Sequence, residues 1–172
     1  MNTVKITSGK YRGRTLFTPG AATHPMGARE KLALFNAISV YLSGARVLDA
    51  FAGSGALGIE ALSRGAENAV FIEKNARAAT VIRQNLANFG LSGEVFRGLV
   101  RDFHSDSAFD VILVDPPYDD FDLEEVTFLT QFLAQDGILV LSHPKEAPEI
   151  TGLSLVKTNQ YAAAHISLYK KH

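Results

Sequence analysis

Two short stretches of this 172-residue chain carry residue types that could do chemistry. The first runs Asp49-Ala50-Phe51-Ala52-Gly53-Ser54-Gly55-Ala56-Leu57-Gly58, and Gly53, Gly55 and Gly58 fit the spacing G-x-G-x-x-G. Glycines in a strand-to-helix turn let the backbone pass close to a ligand, and the helix start offers free N–H groups. In the dinucleotide form of this fingerprint the glycines follow the strand directly, and a pyrophosphate rests on the helix N-terminus. Here the strand ends in Asp49 and three residues intervene. A carboxylate at that mouth repels a pyrophosphate and attracts a ligand bearing an ammonium or sulfonium group. The pattern D-x-F-x-G-x-G therefore points to S-adenosylmethionine rather than NAD. Glu73 follows 18 residues after Gly55, where a carboxylate can accept hydrogen bonds from both hydroxyls of a ribose; both cofactors contain one. Phe51 has two readings, as a wall of the cofactor site or as core filling beneath the loop.

The second stretch is Asp115-Pro116-Pro117-Tyr118, at the end of the apolar run Val111–Val114. Successive prolines stiffen the turn and lack N–H groups. Asp115 and a backbone carbonyl can accept the hydrogens of an exocyclic amine, while Tyr118 offers a face for a flat base. A nucleobase amine is a poor nucleophile because its lone pair is conjugated with the ring. Holding both hydrogens aims that lone pair, which is catalysis by orientation. Acceptors so placed also meet the positive charge that develops on nitrogen.

These residues need a scaffold that brings them together. Strands are expected at 46–50, 69–73, 94–97, 110–114 and 137–142, with helices at 56–64, 76–89 and 123–133 between them. Gly65 and Gly90 mark helix ends, and Asn75 is a candidate cap. Alternating units of this kind imply a parallel sheet with helices on both faces. Two last strands, 153–157 and 165–169, leave no room for a helix and suggest an antiparallel edge hairpin. Before the first strand come a helix from about Gly27 to Leu42, a linker from Pro19, and a small hairpin of 4–7 and 15–17 with a basic tip. The expectation is a single Rossmann-like α/β domain spanning 26–172, with residues 1–25 as a basic extension. His143-Pro144-Lys145 reads as a solvated loop, His165 as structural, and Lys170-Lys171-His172 as a solvated end.

Bulk properties narrow the classes. The chain has no cysteine, which excludes disulfides and cysteine-ligated metals, and its histidines show no metal spacing, so no metal is expected. No apolar run reaches the roughly 18 residues of a membrane helix, and the start lacks a signal-peptide core, so a cytoplasmic location is expected. The net charge of −1 conceals an asymmetry: residues 1–31 hold six basic residues against Glu30 alone. One basic end on a mildly acidic body suits a polyanionic partner met at that end.

With these residues assembled, the sequence resembles the bacterial methyltransferases that modify guanine N2 in small-subunit (16S) ribosomal RNA. The resemblance rests on ITSGKYRGRTL, ALFNAI at 33–38, VLDAFAGSGALGIEALSRGA, FDVILVDPPY and the weaker tail YAAAHISLYK. It implies a seven-stranded class I methyltransferase sheet, S-adenosylmethionine as donor, and ribosomal RNA as acceptor, presented in an assembly intermediate to a monomeric enzyme. It places Asp49, Gly53 and Gly55 on the cofactor's methionine side and Glu73 on its ribose. Phe51, Ala52, Ser54, Lys74 and Leu99 complete the cofactor set. Asp115, Pro116, Pro117 and Tyr118 form the target-base pocket, and Lys10, Arg12, Arg14 and Arg29 contact RNA. The chain departs from the family pattern at His24 for arginine, Ala28 and Leu32 for acids, and Leu99 for an aspartate. Two other readings stay open at this level. One is transfer to adenine N6 or a protein glutamine; the other is a cofactor-binding ribosome assembly factor with little turnover.

Overall fold

The computed structural model describes residues 2–20, 26–161 and 164–172. Most of the expected linker and the His24-Pro25 pair lie outside the described residues. Seven strands form the main sheet: β3 (Arg46–Ala50), β4 (Asn68–Glu73), β5 (Glu94–Arg97), β6 (Phe109–Val114), β7 (Leu133–His143), β8 (Leu153–Tyr161) and β9 (Ala164–Lys171). β1 (Thr3–Lys5) and β2 (Thr15–Phe17) pair separately as an antiparallel hairpin. The order across the large sheet is β5-β4-β3-β6-β7-β9-β8. β3 through β7 run parallel, whereas β9 is antiparallel to β7 and β8 to β9. The final hairpin thus inserts its second strand against β7 and leaves β8 as the edge.

Both faces of this sheet are covered, which is why the central strands read as unbroken apolar runs. On one face Val47, Val111, Leu113 and Val140 pack against Leu34 and Phe35 of α1 (Ala28–Ala37) and Leu57 and Ala61 of α2 (Ala56–Ser63). Phe71 on that face meets Ile82 and Leu86 of α3 (Ala76–Phe89). On the other face Leu48, Ile112, Leu139 and Leu141 pack against Val126 and Leu129 of α4 (Leu123–Leu129). Helix α3 begins at Asn75, whose side chain accepts from the Ala78 amide at 3.0 Å, and ends at Gly90 in the left-handed conformation.

Several boundaries differ from the sequence reading, among them the ends of the last two strands, β8 at Tyr161 and β9 at Lys171. Helix α1 stops at Ala37, and a 3-10 turn over Ser39–Tyr41 is flanked by Ile38 and Leu42, the buried apolar residues that prolonged the helical pattern. Helix α4 stops at Leu129, a 3-10 turn follows, and β7 starts at Leu133 instead of Gly137. Leu133 pairs with Phe109, and the register then shifts so that Ile138 meets Val111. Asp136 adopts a left-handed φ of 62° within this bulge. His143 is the last residue of β7, not part of a solvated loop. Its ring is buried, stacks on His165 at 5.6 Å, and its Nε2 lies 2.7 Å from Ser167 Oγ. Lys171 also belongs to a strand, and its ammonium donates to the Leu133 carbonyl at 2.8 Å.

The N-terminal hairpin is fastened to the body. Ile6 and Leu16 are fully buried against Ile59, Phe71 and Phe89. Asn85 of α3 accepts from the Phe17 amide at 2.9 Å and donates to both the Phe17 and Ser54 carbonyls. One buried amide group therefore joins β2 to the glycine loop.

Candidate functional site

β3 leads outward through β4 to β5, while β6 and β7 lie on its other side, so the chain direction across the sheet reverses between β3 and β6. Ligands in open α/β sheets bind in the crevice beyond the strand ends at such a point. Ala50 and Val114 are register partners at those two ends, so Phe51 and Asp115 leave the sheet side by side. The sequence motifs, 60 residues apart, meet for this reason.

At the β3 end Asp49 is buried under the first turn of α2 and accepts from the Gly58 amide at 2.9 Å. It caps the third N–H of that helix from outside, where the helix dipole favours a negative charge. Gly58 is required there: a Cβ would run into the Phe71 ring and crowd the Asp49 carboxylate. Burial pushes the Asp49 carboxyl well above its ordinary range; the Gly58 bond opposes this, and the charges of Asp115 and Glu73 add to it. Phe51 takes a left-handed φ of 58°, a strained conformation for a non-glycine residue, and both packs on the core and lines the cavity. The side chain thus fills core beneath the loop and also stands in the cavity wall. Glu73 ends β4 and bridges the loop: its carboxylate accepts from Gly53 N at 2.7 Å and from Asn75 N at 2.8 Å.

At the β6 end Asp115 opens onto the crevice but is otherwise enclosed by protein. That burial raises its carboxyl from an ordinary 3.8 to about 6, against a hydrogen bond from Ser142. Pro116 and Pro117 turn the chain into a 3-10 turn beginning at Tyr118. The Tyr118 hydroxyl lies 2.6 Å from Ser142 Oγ. Burial raises the phenol's pKa, the Ser142 bond lowers it, and the Asp115 charge raises it further.

A cavity of about 930 Å³ connects these parts. Asp49, Phe51, Ala52, Gly53 and Ser54 line one side, with Glu73, Lys74 and Leu99 beside them. Asp115, Pro116, Pro117 and Tyr118 line the other side. Gly55 does not line it; its left-handed backbone (φ 80°) starts α2, and its Cα faces Ile82 and Phe71. Nothing lies within 4 Å of where a Gly53 side chain would stand, so the loop presents bare backbone. The carboxylates of Asp49, Glu73 and Asp115, exposed glycine backbone and apolar walls from Ile72, Leu99 and Val100 fit a ligand with a cationic end, a ribose and a flat base. No group of acids and histidines suited to a metal occurs among the described residues.

The structure does not bring the four basic candidates to this cavity. Lys10 N donates to the Ser63 carbonyl at 2.8 Å, and Tyr11 N to Ser63 Oγ at 3.0 Å, so the hairpin tip sits at the C-terminal end of α2. The glycine loop is at the other end of that eight-residue helix, about 12 Å away along its axis. Arg14 is drawn onto α3, with its guanidinium 4.1 Å from the Phe89 ring centre and a bond to the Asn88 carbonyl. Arg12 is exposed at the tip, and Arg29 is exposed on α1 one residue from Glu30 at the cavity wall.

Two groups escaped the sequence reading. Ser142, from β7, faces the cavity beside Tyr118. Glu60 and Lys31 form a buried ion pair at 3.4 Å, and Lys31 also lines the cavity. Burial lowers the Lys31 pKa, with Glu60 opposing. The signal was there for this pair: each is a charge on the apolar side of its helix.

The comparisons with known proteins agree with this architecture. The family model described as "Conserved hypothetical protein 95" matches residues 4–170. The chain is 35% identical to "Putative rRNA methyltransferase YlbH" of Bacillus subtilis, covering 98% of this chain and 99% of that protein. It is 34% identical to "Ribosomal RNA small subunit methyltransferase D" of Haemophilus influenzae, covering 86% and 82%. The solved structure of "Putative methyltransferase yhhF from Escherichia coli" superposes with a TM-score of 0.88 at 30% identity, covering 99% of this chain and 98% of that one. The chain therefore belongs to the Conserved hypothetical protein 95 family, the family of the small-subunit ribosomal RNA methyltransferase D proteins.

Proposed function

We propose that this protein is an S-adenosylmethionine-dependent ribosomal RNA methyltransferase that methylates the exocyclic N2 amine of a guanine in small-subunit RNA. One observation carries the reading. The acidic glycine loop and the Asp-Pro-Pro-Tyr turn line a single cavity at the point where the sheet order reverses. Such a cavity can hold a cationic donor and a flat base together.

Asp49, the Gly53 backbone and Glu73 hold the donor, with Phe51, Ala52, Ser54, Lys74 and Leu99 around it. When bound, S-adenosylmethionine supplies an electrophilic methyl carbon on a sulfonium. The rest belongs to this chain's own residues. Tyr118 stacks on the guanine. Asp115 and the Pro116 carbonyl accept the two amine hydrogens and pull the nitrogen lone pair out of conjugation. No strong base is needed, because the nitrogen becomes acidic once it gains a fourth bond. Asp115, ionised above about pH 6, then takes the proton that the nitrogen releases.

The remaining parts follow from the same reading. Residues 1–25 serve as an RNA-contacting extension, and residues 26–172 as the catalytic body. Lys10, Arg12, Arg14 and Arg29 meet phosphates, which give affinity without sequence information. The hairpin tip lies a helix length from the glycine loop, and its cations do not line the cavity, so they touch RNA away from the target nucleotide. The substrate is small-subunit RNA within an assembly intermediate, and the enzyme works in the cytoplasm as a monomer.

The test is methyl transfer from labelled S-adenosylmethionine to small-subunit particles lacking the modification, to naked ribosomal RNA, to DNA and to protein, with the methylated atom mapped. Label on guanine N2 in particles or RNA supports the proposal. Label on adenine or on a protein amide replaces the acceptor. Tight cofactor binding with no transfer to any of them makes the protein a binding factor.

A further inference from the structure

We infer that Ser142 is a positioning residue that holds Tyr118 and Asp115 in their working arrangement, and this rests on the methyltransferase reading above. Asp115 and Tyr118 leave the sheet on one turn, but nothing within that turn fixes the angle between the phenol ring and the carboxylate. Ser142 comes from the neighbouring strand. Leu141 is the register partner of Val114, so Ser142 stands next to Asp115 across the two strand ends. It is buried, it faces the cavity, and its Oγ is 2.6 Å from the Tyr118 hydroxyl. Ile166, its partner on β9, lines the same cavity beside it.

An ionised carboxylate only accepts. In the proposed arrangement Ser142 turns its single hydrogen toward Asp115 and accepts that of the Tyr118 hydroxyl, 2.6 Å away. The result is a relay of two hydrogen bonds from the ring that stacks the base to the acid that takes its amine. Each bond removes a rotational freedom: the first sets the tilt of the phenol, the second the plane of the carboxylate. One carboxylate oxygen is thereby committed to Ser142, and the other is left for the substrate. No group of Ser142 needs to touch the base.

The experiment compares Ser142→Ala with Ser142→Thr, which keeps the hydroxyl. Ser142→Ala is expected to lower kcat at least tenfold with little change in the affinity for S-adenosylmethionine. It is also expected to move the acid limb of the kcat/KM profile upward, because the bond that favours the charged carboxylate is gone. The other ionisable groups lining this cavity are Asp49 from β3, Glu73 from β4 with Lys74 after it, Glu30 and Lys31 from α1, Tyr118, Asp119 and Asp120 from the turn after β6, Glu125 from α4 and Tyr161 from β8, and all are unchanged in the variant. Ser142→Thr is expected to restore both readouts. A carbon-13 titration of the Asp115 carboxyl in the protein without substrate gives a second measure: its midpoint, near 6, should rise in Ser142→Ala. This measurement does not depend on knowing the substrate, so it separates the two claims. Failure of the wild-type protein to methylate guanine would overturn the methyltransferase reading alone. An unmoved carboxyl midpoint and a wild-type rate in Ser142→Ala would overturn the role of Ser142.

Discussion

The Gly53 amide donates to the Glu73 carboxylate at 2.7 Å, and this bond ties the glycine loop to the end of the neighbouring strand. The same carboxylate holds the Asn75 amide that begins the cap of α3. Glu73 thus shapes the loop, and under the proposed function it also offers acceptors to a ribose. Hydrogen bonds to a charged group are worth about 1.5–3 kcal/mol. Glu73→Ala should therefore raise the calorimetric Kd for S-adenosylmethionine by roughly ten- to a hundredfold. With saturating cofactor, turnover should fall only a few-fold. Asp115→Ala should do the reverse, with nearly normal cofactor binding and turnover reduced by a hundredfold or more. Equal losses of both kinds in both variants would contradict this division of roles.

Burial of the Asp115 carboxyl carries a cost in stability. Its carboxyl titrates near 6 in the folded protein and near 3.8 when ordinary. Between these values the native state binds more protons than the unfolded chain, so stability falls as pH rises through the window and levels off above it. Asp49 contributes in the same direction, since burial raises it too. Asp115→Asn removes the ionisation at one site. Urea denaturation should find it about 1–3 kcal/mol more stable than wild type at pH 7.5, the lower figure applying if water in the cavity screens the charge. At pH 3.5 the difference should vanish. Asparagine keeps one acceptor oxygen, so its turnover should fall less than that of Asp115→Ala.

Glu60 is the anchor of the N-terminal hairpin. It is fully buried, accepts from Thr7 N at 3.0 Å and Ser8 N at 3.1 Å, and pairs with Lys31 and Arg64. Glu60→Ala removes the carboxylate from two cations and the acceptor from the Thr7 and Ser8 amides; Lys31 keeps the Lys5 carbonyl, and Arg64 keeps Asn36 and Thr7 Oγ1. Breaking a buried pair from one side costs about 3–5 kcal/mol. The urea midpoint should fall accordingly, and limited proteolysis should cut first within residues 7–14. Lys31→Met with Glu60→Leu, which removes the charge from both sides of one pair, should recover part of the loss.

The parts of this architecture that were legible in the sequence are those governed by local rules. β3 and β6 are buried on both faces, so they read as apolar runs, and the glycines and prolines that end them are unmistakable. Helix α3 has both a cap at Asn75 and a glycine stop, and its limits agree with the sequence reading. What could not be read depends on partners distant in the chain. The start of β7 at Leu133 is set by pairing with Phe109, and the bulge at Asp136 follows from it. His143 looks like the start of a polar loop until its stacking with His165 is known. Ser142 is an ordinary hydroxyl in an apolar strand, and only the packing of β7 beside β6 brings it to Tyr118. The charge asymmetry of residues 1–31 was visible, but not the placement of its hairpin tip at the far end of α2.

That placement makes a sharp prediction about the hairpin. Arg12 sits at the exposed tip, whereas Arg14 is held on Phe89 and the Asn88 carbonyl, so Arg12 is the cleaner probe of phosphate contact. The tip and the glycine loop are at opposite ends of α2. Arg12→Glu should therefore weaken binding to small-subunit RNA and reduce the slope of log K against log salt by about one. It should leave the Kd for S-adenosylmethionine unchanged. Sequence changes in the RNA should alter the affinity of wild type and variant in parallel, because a phosphate contact carries no base information. Filter binding across a salt series, with calorimetry for the cofactor, measures all three. A loss of cofactor affinity in Arg12→Glu would mean that the hairpin and the loop act as one unit through Glu60 and Asn85. An unchanged salt slope would remove Arg12 from the RNA interface.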